Sequence, residues 1–145
     1  MVTSLKEQPL KRRPVYRNIH VSQLTSYRLP PAAWASILHR ISGALLFLLL
    51  PFVIWMFDAS LTSEVSYQQF VSVFAFGGMG LPAVLVKLVV LALIWAYLFH
   101  LLAGLRHVWM DATHSLSLAF GRHSALACIV LSAILTVALG AKLFL

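Results

Sequence analysis

The chain has 145 residues, of which 61% are hydrophobic and only 10% charged, and it carries a formal net charge of +7. That balance excludes a water-soluble globular domain, in which about a quarter of residues are charged. The basic residues gather ahead of the apolar sequence rather than on a folded patch, so the positive charge points to a membrane surface or a partner protein and not to nucleic acid.

Residues 1–32 read as a polar arm containing Lys6, Lys11, Arg12, Arg13, Arg17 and Arg28, with Pro9, Pro14, Pro30 and Pro31 disfavouring a continuous helix. About thirty residues before the first apolar run is unlike the short basic start of a cleaved secretory signal. The string Arg13-Pro-Val-Tyr16-Arg-Asn18-Ile-His20 mixes polar and apolar anchors and predicts ordering against a partner. The first apolar run, Ala33–Phe57, has no charge from Ile41 onward, and Pro51 predicts a kink within it. In the following connection, Tyr67, Phe70, Val71 and Phe74 recur at helical spacing, which predicts a short amphipathic helix at the membrane surface. Gly77, Gly78, Gly80 and Pro82 then break the chain. The second run, Leu81–Val108, has His100 as its only ionisable group between Leu88 and Leu105, and the third, Ser124–Ala141, has only Cys128. Cys128 is the one cysteine, so it makes no internal disulfide and is expected to pack as a small apolar residue.

Each run approaches or exceeds the roughly 20 residues that cross a bilayer. The predicted fold is an all-α membrane protein with three transmembrane helices at about 33–57, 81–108 and 122–143, following an arm at 1–32. Trp34, Trp55 and Trp109 fall near run ends, as interfacial aromatics do. The first connection has Glu64 and no Lys or Arg, whereas Arg106 and Arg122 bracket the second. The positive-inside rule therefore predicts a cytoplasmic N-terminus and a periplasmic C-terminus, with Lys87 and Lys142 snorkelling at the outer ends.

Ionisable groups inside a bilayer are costly and mark function. Ser36, His39, Arg40 and Gly43 follow an i, i+3, i+4, i+7 pattern on helix one, and His100, Gly104 and His107 share a face of helix two. Running in opposite directions, the two helices bring these stripes to one half of the membrane. A neutral imidazole there can bind haem iron, and His39, Arg40, Arg106 and His107 lie where propionates need cations or donors. A hydroxyl from Ser36 and the guanidinium of Arg40 can together hold a quinone carbonyl. Each residue also has a plainer role: His100 as an inter-helix hydrogen-bonding group, Arg40 and His107 as interfacial side chains, Ser36, Gly43 and Gly104 as packing residues, and Asp111 as a local ion-pair partner. His20, His114 and His123 fall in arms or loops, where solvent or headgroup contact is the expectation. Ligation by two imidazoles needs partners on both ring faces. His39 and His123 are internal options closer to the surface than His100, another subunit is the external one, and periodicity does not choose between them.

Three strings now carry a resemblance: Arg13-Pro14-Val15, then Ser36-Ile-Leu-His39-Arg40-Ile-Ser42-Gly43, then His100-x-x-x-Gly104-x-Arg106-His107-x-x-Met110-Asp111. In order, spacing and membrane position they resemble the larger cytochrome b anchor subunit of succinate dehydrogenase, respiratory complex II, over nearly the whole chain. The resemblance implies that His100 is an axial ligand of haem b, with the second ligand from a smaller hydrophobic anchor subunit. It implies that His39, Arg40 and His107 surround the propionates, and that Ser36 and Arg40 belong to a ubiquinone site completed by that anchor and an iron–sulfur subunit. Flavin and succinate chemistry would reside in other chains, including a flavoprotein subunit, so no catalytic residue is expected in this chain alone. A bacterial inner-membrane location follows. The stretch between Arg13-Pro14 and Ser36, including Ser22-Gln-Leu-Thr-Ser26, is longer than in some relatives, and Thr113 stands where a smaller residue is common. A fumarate reductase anchor working with menaquinone and a haem-free membrane scaffold are the competing readings.

Overall fold

A computed structural model describes residues 20–24, 27–78 and 80–145. The predicted arm therefore lies largely outside the described residues, including the Arg13-Pro14-Val15 string. The described elements are α1 (Val21–Leu24), α2 (Pro31–Leu48), α3 (Leu50–Leu61), α4 (Glu64–Phe76), α5 (Ala83–Thr113) and α6 (Leu118–Phe144). No strand is present among the described residues; the Gly78–Leu81 backbone pair is an isolated bridge.

Prolines and glycines set the boundaries. Pro30 and Pro31 open α2, where the first N–H groups of a helix have no partner to lose. The predicted kink is a break: α2 stops at Leu48 and α3 starts at Leu50, with Leu49 at φ −92° and ψ 1°. Pro51 has no N–H for the carbonyl one turn earlier and its ring crowds that carbonyl, but at the second position of α3 neither loss matters. Helical bonding resumes at once, Val53 N–H donating to the Leu49 carbonyl at 3.0 Å. Ser63 and Ser66 close a reciprocal cap at the start of α4. Gly77, at φ +93°, ends that helix in a conformation a side chain would strain, and a Cβ there would overlap the Leu81 carbonyl. At its far end α5 runs through Thr113 and stops with His114 in the left-handed region at φ 52°. The Ser117 hydroxyl then accepts from Phe120 N–H at 3.2 Å and starts α6.

Among the described residues, three helices are long and apolar enough to cross a membrane: Pro31–Leu48, Ala83–Thr113 and Leu118–Phe144, with mean hydropathies of 1.2, 2.3 and 2.3. The central one, α5, packs on both α2 and α6, while α4 folds back against α3 and α5. Within α4, Phe70, Val73 and Phe74 turn inward and Tyr67 and Val71 outward, so the amphipathic face is rotated from the predicted one. The core is made of Ala35, Phe99, Ala103 and Ala125, flanked by Ala32, Leu38, Trp95 and Ile129. Small residues at the seams allow close helix approach, the packing mode of helices in lipid. Large apolar side chains point outward along all three long helices, Phe47, Tyr97 and Val137 among them, which suits hydrocarbon solvent and not water.

Candidate functional site

Early α2 meets late α5, with Ala35, Phe99 and Ala103 in one core cluster. That pairing sets His39 beside His100, the rings stacked with centroids 4.3 Å apart and planes 29° from parallel. His107 is two turns beyond His100 on the same face of α5, and its ring reaches His39 from the other side at 5.4 Å. The three predicted imidazoles thus form one column with His39 in the middle.

The His100 ring is held from one edge. Its Nδ1 lies 3.2 Å from the His39 carbonyl oxygen and 3.2 Å from the Ser42 Oγ. Ser42 is fully buried, and its hydroxyl donates back to the same carbonyl at 2.9 Å. The other nitrogen, Nε2, makes no hydrogen bond among the described residues. Gly43 is the reason the ring fits: a methyl there would lie 2.9 Å from His100 Cε1 and 3.3 Å from Nδ1. Gly104 is less constrained, since a methyl there would only come within 4.0 Å of His39 Nε2. That nitrogen is the one buried side-chain polar atom without a hydrogen bond among the described residues. Buried polar groups are normally satisfied, so an orphan invites a ligand.

The remaining predicted residues divide. Ser36 is half-buried and Arg40 exposed on α2, and neither side chain makes a hydrogen bond or ion pair among the described residues. His107 and Asp111 are exposed toward the same end. Arg106 turns the other way: its Nε–H donates to Ser124 Oγ at 2.9 Å and its Nη2 to the Gly121 carbonyl at 3.3 Å, both on α6. The structure therefore brings His39, His100 and His107 together with Gly43 and leaves Arg106 bridging a different pair of helices. Periodicity gives Ser42 no role; its only signal is a hydroxyl three residues after His39 and next to Gly43. Among the described residues no three His, Cys, Asp or Glu side chains are arranged to cage a metal ion. The imidazole column suits a flat cofactor bound by one ring nitrogen better than a bare ion.

The fold and this cluster define a helical membrane subunit with a half-buried imidazole site. Residues 10–139 match the family model described as succinate dehydrogenase/fumarate reductase transmembrane subunit, and the chain belongs to that family as a multi-pass membrane anchor of the cytochrome b kind. It is 37% identical to the succinate dehydrogenase cytochrome b556 subunit of Coxiella burnetii over 117 residues, covering 81% of this chain and 89% of that one. The subunit of the same name from Paracoccus denitrificans is 34% identical over 114 residues, 79% of this chain and 82% of the relative. That from Rickettsia felis is 25% identical over 138 residues, 95% and 98% respectively.

Proposed function

We propose that this chain anchors a succinate dehydrogenase in the bacterial inner membrane, gives His100 to the iron of a haem b shared with a second hydrophobic anchor subunit, and forms part of a ubiquinone-reducing site through Ser36 and Arg40. One observation carries the reading: His100 is fixed at Nδ1 while Nε2 is free, beside a glycine whose Cβ would strike the ring. The residues present fit the cofactor, because the unbonded His100 Nε2 and the orphaned His39 Nε2 lie beside each other among the described residues. When bound, the haem would supply a one-electron store beside the route from the iron–sulfur subunit to quinone.

The side chains of this protein then do ordinary work. His100 would hold the iron through Nε2, and Gly43 lets its ring pack against α2. Gly104 leaves room along the His39 side. His39, Arg40 and His107 would supply cations or N–H donors to propionates, while Arg106 ties α5 to α6 and keeps three N–H groups unused. Ser36 donates a hydrogen bond to a quinone carbonyl and Arg40 stabilises the negative charge that builds there on reduction. A second ligand to the haem would come from the partner anchor, and the flavoprotein subunit would oxidise succinate elsewhere. Arg28, Arg40, Arg106 and Arg122 cluster at the end where α2 and α6 begin and α5 finishes, which supports a cytoplasmic face there and a periplasmic C-terminus.

His100→Leu in the intact complex is expected to abolish or reshape the b-type reduced-minus-oxidised spectrum while the subunits stay assembled. An unaltered spectrum at full haem occupancy would refute the ligand role. Ser36→Ala and Arg40→Leu are expected to slow quinone reduction about 10- to 1000-fold, in the range of a lost electrostatic donor, with succinate oxidation by a soluble dye retained. Equal loss in both assays would remove them from the quinone site.

A further inference from the structure

Ser42 stands outside the roles assigned above, yet it is fully buried and its Oγ lies 3.2 Å from His100 Nδ1. The His39 carbonyl lies at the same distance from that nitrogen. A carbonyl oxygen can only accept, so its bond with Nδ1 requires the ring proton to sit on Nδ1. The single hydroxyl proton of Ser42 is directed at the His39 carbonyl, 2.9 Å away, which leaves Oγ an acceptor toward His100. The carbonyl demands this tautomer, and the Ser42 hydroxyl, donating to that carbonyl, accommodates it. Nε2 is then the unprotonated nitrogen, with its lone pair available.

We propose that Ser42 is a positioning residue: with the His39 carbonyl it locks His100 in the Nδ1–H tautomer and presents Nε2 as the metal donor. The proposal rests on His100 being an iron ligand and adds which group makes it one. The nitrogen opposite a metal-bound ring nitrogen usually donates to an oxygen, which fixes ring orientation and makes the ligand more electron-rich. Here two oxygens from one helical turn receive that proton in a buried setting. Ser132 supplies the contrast. It is equally buried and bonds its own helix at the Ile129 carbonyl, 3.0 Å away, but touches no imidazole.

The test compares Ser42→Ala, Ser42→Thr, Ser132→Ala and His100→Leu in the purified complex, reading subunit assembly, haem retention and the haem midpoint potential. Ser42→Ala is expected to assemble, to hold haem about tenfold more weakly and to shift the potential positive, because a less electron-rich imidazole favours the reduced iron. Ser42→Thr, which keeps the hydroxyl, is expected to restore both, and Ser132→Ala to match the unaltered complex. Wild-type retention and potential in Ser42→Ala would overturn the proposal. So would an equal shift in Ser132→Ala, or a Ser42→Thr variant that behaves like alanine. Loss of haem in His100→Leu together with a silent Ser42→Ala removes only this inference, whereas an unchanged spectrum in His100→Leu removes the ligand reading beneath it.

Discussion

The seams on the two sides of α5 use the same materials, small residues and buried hydroxyls, and handle polarity in opposite ways. On the α6 side, Ala125, Cys128, Ser132, Thr136 and Gly140 form a stripe at three- and four-residue spacing. Ser132 and Thr136 return their hydroxyl protons to their own helix, Cys128 Sγ reaches the Leu102 carbonyl at 3.5 Å, and Arg106 spends two donors on Ser124 and Gly121. Every polar group in that stripe has a partner. On the α2 side the Ser42 Oγ also faces an imidazole of the neighbouring helix, one buried nitrogen has no partner among the described residues, and a glycine lets the ring pack against the helix. Satisfied polarity holds helices together in lipid; polarity left open on a costly buried group marks a place for a ligand.

The contrast can be broken with one substitution made twice. Gly43→Ala puts a methyl 2.9 Å from His100 Cε1, against a ring already pinned at Nδ1 from the same helix. The ring must leave its two hydrogen bonds to make room. The expected outcome is loss of most haem absorbance in the assembled complex. Fold stability should change little, since about 1 kcal/mol of helix propensity offsets part of an overpacking cost of roughly 1–3 kcal/mol. Gly140→Ala overlaps Leu91 Cδ1, the far end of a flexible side chain that can rotate aside. The haem spectrum is expected to be unchanged, with thermal stability in detergent altered by less than about 1 kcal/mol. Similar spectra from the two variants would erase the distinction between the seams.

Much of this architecture was legible in the sequence, and the failures have physical causes. Hydropathy located three spans, and Pro51 announced the break in the first because a missing N–H is a local property. The end of α5 was placed at 108 and lies at Thr113. Backbone bonding continues through polar Asp111 and Thr113 and stops only where His114 turns left-handed, so apolarity gave the wrong ruler. The start of α6 was placed at 122 and is Leu118 because Ser117 supplies a cap. Periodicity brings His39, His100 and His107 to one half of the membrane, but it sets His39 nearer the surface than His100, whereas the two rings stack. It gave no hint of Ser42, whose contact depends on how far α2 is rotated about its axis. Nor did it reveal the choice of Arg106 between two neighbours, which is set by where α6 packs.

The smallest expected effect sharpens the α6 side. Ser124→Ala removes the acceptor 2.9 Å from Arg106 Nε but leaves the Gly121 carbonyl in place. Hydrogen bonds to charged groups contribute about 1.5–3 kcal/mol, and Ser124 is only half-buried, so water or a headgroup can replace part of the loss. The expected cost is about 1 kcal/mol, read as a lower thermal midpoint of the detergent-solubilised complex. Haem spectrum and quinone reduction are expected to stay unchanged, because the bond joins α5 to α6 and not to the imidazole column. A spectral shift in this variant would mean that the Arg106 brace reaches the His100 side of α5, and the two seams would then be one coupled network.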